Sequence, residues 1–153
     1  MNHLLKSFVR SLKTLAFPKW NFFYLALKPP LRLMQEKTIL IYDDENEILK
    51  VSRMILQDEY RQVETCISAE NLFDDIERVN PDIILMDLWM PMISGEDAID
   101  LLRNNEKTNH IPVVVFSAVN EIEKISKKIN ATALLKKPFS VDELKETVQK
   151  YIL

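Results

Sequence analysis

One glycine, Gly95, serves a chain of 153 residues. Loops that cradle phosphates with backbone amides need several glycines in close succession, so nucleotide-binding P-loops and dinucleotide fingerprints are excluded. Any phosphate chemistry must rest on side chains and a metal. Cysteine is equally scarce: Cys66 is alone, which rules out an internal disulfide, and no His or second Cys stands near it at metal-ligand spacing. A reducing, cytoplasmic setting fits that usage. His3 and His110 lie far apart without an evident partner, and neither is assigned a role. No apolar run reaches the roughly 20 residues of a bilayer-spanning helix, because Pro18 and Lys19 interrupt the best candidate. The same pair fits a signal-peptide cleavage site poorly.

Acid is missing from residues 1–33, which hold six Lys or Arg. The remaining 14 basic and 23 acidic residues give −9 from Met34 onward, against −3 for the whole chain. A body this acidic does not suit nucleic acid, whose phosphates require a basic face.

What is present, after Gln35, is an alternation of short apolar runs with longer amphipathic stretches, the pattern of a parallel sheet with crossover helices. Residues 38–42 read as a buried strand, and 45–58 as a helix with Ile48, Leu49, Ser52, Ile55 and Leu56 on one face. Residues 63–67 read as a more polar edge strand, followed by a helix over 69–79 capped by Ser68 and ended by Asn80-Pro81. Residues 82–87 are apolar on both faces, as an interior strand is, and end on an acid. A turn over 91–95 leads into a helix through Leu102; residues 111–116 form another interior strand, with Ser117 at its end. A fourth helix is expected over 120–129 and a fifth strand over 131–135. Ser140 and Glu143 form a capping box for a last helix ending near Ile152.

In such a sheet, ligands bind beyond the carboxyl ends of the strands. Asp43, Asp44, Asp87, Ser117 and Lys137 all fall there. Singly, each has a plain structural explanation, since acids after strands often begin helices and serines often cap them. Together they do not: three gathered carboxylates repel unless a hard divalent cation and an ammonium offset them. Mg2+ and Lys137 are the natural choices.

These pieces resemble a bacterial response-regulator receiver domain. The resemblance rests on Asp43-Asp44, the run Asp87-Leu88-Trp89-Met90-Pro91 with Gly95 following, Ser117-Ala118 and Lys137-Pro138-Phe139, in the family's order and spacing over residues 36–153. It implies an α/β flavodoxin-like, doubly wound (βα)5 fold with strand order 2-1-3-4-5. It further implies that Asp87 accepts a phosphoryl group from a histidine kinase or histidine phosphotransfer protein. Asp44, Asp87 and the Trp89 carbonyl would hold Mg2+, with Asp43 acting through a water. Lys137 would stabilise the transferring oxygens, and Ser117 would hydrogen-bond one of them afterwards. The Lys137-Pro138 bond is expected to be cis.

The chain departs from the family at four places. Leu134 replaces the aromatic three residues before the lysine, which puts the usual output switch in doubt. Trp89 and Val119 stand where polar side chains often orient water, so slow self-dephosphorylation is expected. Asn130 replaces a glycine and can adopt a left-handed conformation.

The expected organisation is a basic extension or mis-called start over 1–33 and a receiver domain over 34–153. On a helix, residues 4–16 put Leu4, Leu5, Phe8, Val9, Leu12, Leu15 and Ala16 on one face and Lys6, Arg10 and Lys13 on a separate stripe. Such a helix suits peripheral contact with an anionic membrane, or docking on a partner. Lys28-Pro29-Pro30 reads as a stiff linker. With no effector domain after Leu153, output is expected through protein contact on the face of the fourth helix, fifth strand and fifth helix. The protein is expected to be a switch rather than a turnover enzyme. Two competing functions are a haloacid-dehalogenase-type phosphatase, which needs a second acid where Trp89 stands, and a phosphorylation-independent binding module.

Overall fold

The computed structural model describes residues 35–118 and 129–152. The expected helices over 4–16 and 120–129, with Val119, lie outside the described residues, apart from Ile129.

Among the described residues nine elements follow in order: β1 (Gln35–Tyr42), α1 (Asn46–Leu56), β2 (Tyr60–Cys66), α2 (Leu72–Val79), β3 (Ile83–Met86), α3 (Gly95–Arg103), β4 (Val113–Ala118), β5 (Ala133–Lys137) and α4 (Val141–Tyr151). α4 is therefore the last of the helices expected from the sequence. The strands form one parallel sheet in the order β2-β1-β3-β4-β5. This is the flavodoxin-like arrangement.

Strand alternation divides the core in two. Ile39, Ile41, Ile83, Leu85, Val114 and Phe116 point to one face, where Leu49 and Leu56 of α1 and Leu144 and Val148 of α4 cover them. Leu40, Tyr42, Ile84, Met86, Val113 and Val115 point to the other, against Leu72, Ile76 and Val79 of α2 and Ala98, Ile99 and Leu102 of α3. Because successive residues serve opposite faces, a central strand here must be apolar at every position. β3 is buried at all four.

Several expected boundaries shift for local reasons. β2 begins at Tyr60, since that ring is almost fully buried and extends the edge strand backward. α2 begins at Leu72 rather than 69, and Ser68 does not cap it. Ala69 is fully buried, and its carbonyl accepts the Leu72 N–H in a preceding turn. Ser94 caps α3 by accepting the Asp97 N–H at 3.1 Å. β4 and β5 each run two residues further than expected, so Ser117 and Lys137 are themselves strand residues. Asn130 is not left-handed: among the described residues other than glycine, positive φ occurs at Asn80 and Met92. The Ser140–Glu143 capping box forms as expected.

Candidate functional site

The sheet carries two acids one rung past its regular strands. The Asp87 N–H donates to the Tyr42 carbonyl at 2.9 Å, and the Asp43 N–H to the Cys66 carbonyl at 3.1 Å. Each acid thus begins a loop with its backbone still held by a neighbouring strand. β1 and β3 are adjacent, and here the chain order of the strands reverses, so the two loops diverge and leave a crevice.

Both carboxylates are buried, Asp43 fully and Asp87 to within 4%. Lys137, at the end of β5, bridges them: its Nζ donates to Asp43 Oδ2 at 2.7 Å and to Asp87 Oδ1 at 3.1 Å. The remaining oxygens accept backbone amides, Asp43 Oδ1 from Glu45 and Asp87 Oδ2 from Trp89, each at 2.9 Å. The ammonium also lies 4.9 Å from the Phe116 ring centroid, a cation–π contact that fixes its approach. The Lys137-Pro138 bond is cis.

Asp44 is exposed, yet Asp43, Asp44 and Asp87 each offer an oxygen, and these atoms lie within 4.8 Å of one another. Like charges about 4 Å apart repel by roughly 4 kcal/mol at the effective dielectric of a protein surface. Three carboxylates and one ammonium sum to −2, which a divalent cation would cancel. Hard carboxylate oxygens in a partly open crevice fit Mg2+.

Burial pushes the Asp87 carboxyl above the ordinary carboxylate range; Lys137 and the Trp89 amide pull it back, and Asp43 pushes it further up. For Lys137, burial works against the charged form. The Asp43 hydrogen bond and the attraction of both acids outweigh it, so the ammonium is held above its usual range.

Ser117 occupies the same end of the sheet, on β4. Its Oγ is buried and, among the described residues, has no hydrogen-bond partner. A buried hydroxyl normally finds one, so an orphan at a site invites a ligand oxygen. The five polar residues singled out in the sequence therefore share one end of the sheet. Trp89 joins through its backbone, while its indole is 59% exposed and does not pack over the carboxylate as a buried lid. Leu134 is half-buried against the core.

The structure supplies the physical reason for Gly95, which the sequence only placed in the motif. A Cβ on Gly95 would overlap the Asp87 carbonyl oxygen, so the chain's single glycine is required by the close approach of α3 to the acidic loop. The Gly95 N–H donates to the Leu88 carbonyl at 3.0 Å. At the far end of α3, away from the site, Arg103 donates to the carbonyls of Asn130, Asn109 and Ile111 at 2.8 to 3.2 Å, tying the helix to the segments entering β4 and β5.

Residues 39–149 match the model of the response regulator receiver domain. Sporulation initiation phosphotransferase F of Bacillus subtilis is 30% identical over 123 residues, covering 78% of this chain and 96% of that protein. The polar-differentiation response regulator DivK of Brucella ovis is 30% identical over 120 residues, covering 76% and 96%. Among solved structures, the chemotaxis response regulator CheY4 of Vibrio cholerae superposes with a TM-score of 0.69 at 26% identity, covering 75% of this chain and 98% of that one. A sensor histidine kinase receiver domain of Pseudomonas aeruginosa, with magnesium coordinated in its active-site cleft, gives 0.68 at 26% identity, covering 76% and 97%.

Proposed function

Since this chain belongs to the response regulator receiver domain family, we propose that it accepts a phosphoryl group on Asp87 from a histidine kinase or histidine phosphotransfer protein. It then signals by protein contact within a phosphorelay. The observation that carries this reading is the buried Asp43–Lys137–Asp87 bridge beside the Ser117 hydroxyl, which has no partner among the described residues.

Asp87 is the nucleophile. Its carboxylate oxygen forms a bond to phosphorus as the phosphorus–nitrogen bond of a phosphohistidine breaks, and the electron pair leaves with the imidazole. The product is an acyl phosphate. Lys137 already touches Asp87 and faces the incoming oxygens as a fixed positive charge, and the Ser117 hydroxyl donates to one of them. The Trp89 amide holds the Asp87 oxygen it now touches. Asp43, Asp44, Asp87 and the Trp89 carbonyl would hold Mg2+, which when bound neutralises charge on the acids and the transferring phosphoryl group. No general acid stands two residues after Asp87, which argues against a dehalogenase-type phosphatase.

Among the described residues no helix is long and apolar enough to cross a membrane. A cytoplasmic protein with output through β5, α4 and the segment before β5 fits this reading. So does peripheral membrane contact by residues 4–16.

The donor class is tested with phosphoramidate, whose phosphorus–nitrogen bond mimics phosphohistidine. With Mg2+, the protein should gain a hydroxylamine-sensitive phosphate, and Lys137→Ala should not. Equal loading of Lys137→Ala would remove the site from the reaction. A protein inert to phosphoramidate while binding partners through β5 and α4 would instead be a phosphorylation-independent module.

A further inference from the structure

Beneath the acidic crevice lies a second polar cluster that touches none of its carboxylates. Asp75, on the inner side of α2, accepts three hydrogen bonds. Tyr42 Oη donates to its Oδ2 at 3.3 Å, Cys66 Sγ to the same oxygen at 3.5 Å, and Arg78 Nη2 to Oδ1 at 2.8 Å. Tyr42 is fully buried, and Asp75 retains 16% of its side-chain exposure. Arg78 stands mostly in solvent at 57%.

The two donors other than Arg78 are not arbitrary residues. Tyr42 and Cys66 end β1 and β2, and their carbonyls accept the backbone N–H groups of Asp87 and Asp43. One carboxylate on α2 thus grips, by their side chains, the two residues that grip the two buried acids by their backbones. Strand ends fray where the ladder stops, so a side-chain clamp at this rung restrains both acids together.

We propose that Asp75 is a positioning residue for the acidic site, acting through Tyr42 and Cys66 to hold Asp87 and Asp43 in register with Lys137. The inference rests on the reading of that site as the phosphoryl acceptor. In-line transfer tolerates little misplacement: about 1 Å can cost on the order of 10²-fold in rate.

The test compares Asp75→Leu, Asp75→Asn, Tyr42→Phe and Arg78→Ala with the wild-type full chain. Mg2+ affinity by calorimetry and the rate of phosphate gain from acetyl phosphate by intact mass are measured at a temperature where all are folded, and Tm by a separate thermal scan. Asn and Leu remove the same charge, but only Asn keeps an oxygen for Tyr42 and Cys66, so the difference between them isolates the clamp from electrostatics. Asp75→Leu should lose about tenfold in Mg2+ affinity and in rate, the low end for residues that hold metal ligands in place. Tyr42→Phe, which keeps the ring in the core, should lose in the same direction, while Asp75→Asn and Arg78→Ala stay within about twofold of wild type. A purely structural role would lower Tm and leave affinity and rate unchanged. Asp75→Leu and Tyr42→Phe both matching wild type, or Asn failing as badly as Leu, would overturn the proposal. A wild-type protein that takes up no phosphate would overturn the underlying reading, and the positioning role with it.

Discussion

Asp87 is asked to be an anion in a place that disfavours one. Its folded-state pKa is raised, so between its ordinary value and that raised value the native state binds the proton more tightly than the unfolded chain does. Stability is highest below the ordinary value and falls as pH rises through the window. The metal-free protein should therefore lose Tm across this range, whereas Asp87→Asn should not, and should be the more stable of the two at neutral pH. A thermal scan against pH checks it; an Asn variant less stable than wild type at pH 7 would contradict it. Lys137 has the same sense at higher pH: its raised pKa contributes stability that is complete below its unfolded value and lost at more alkaline pH. Replacing it by Met strands two buried carboxylates and should cost about 3–5 kcal/mol, with Mg2+ restoring more of the Tm than it adds to wild type. These residues were legible in the sequence because each follows or ends a strand, and strand ends are countable. The Asp75 clamp was not, since Tyr42 and Asp75 stand 33 positions apart and no local pattern pairs them.

Among the elements, β3 was the easiest to read, because burial on both faces demands an unbroken apolar run. α4 was easy for a different reason, its capping box being written in Ser140 and Glu143. Removing that box with Ser140→Ala should cost about 1 kcal/mol and leave phosphate uptake intact, since Lys137 is anchored by Asp43 and Asp87 from the other side. The start of α2 was misread: Ser68 has the right chemistry for a cap, but the burial of Ala69 places a turn between it and the helix. α3 presents the sharper case. Gly95 abuts the Asp87 carbonyl, so even a methyl group must push the helix or the acidic loop aside. Gly95→Ala is expected to destabilise by about 1–3 kcal/mol. It should also slow phosphorylation beyond what the lost stability explains, as measured by uptake rate well below Tm. An Ala variant with the wild-type rate would show that the loop tolerates the shift.

For the whole molecule, the alternation of apolar runs and amphipathic stretches pointed to a parallel sheet with crossover helices, while the strand order came from the resemblance to receiver domains and is the order observed. Readout of the proposed phosphate is expected to depend on Leu134, half-buried where an aromatic is usual, and on how long the phosphate persists beside an exposed Trp89. With no water-orienting side chain at Trp89, the acyl phosphate should outlast a minute, and Trp89→Asn should shorten it. The central claim is capture itself, and intact mass after incubation with acetyl phosphate and Mg2+ tests it most directly. The account predicts the mass of one phosphoryl group added to the wild-type chain, none to Asp87→Asn, and none to wild type when EDTA replaces Mg2+. No gain on the wild type, or equal gain on Asp87→Asn, would contradict it.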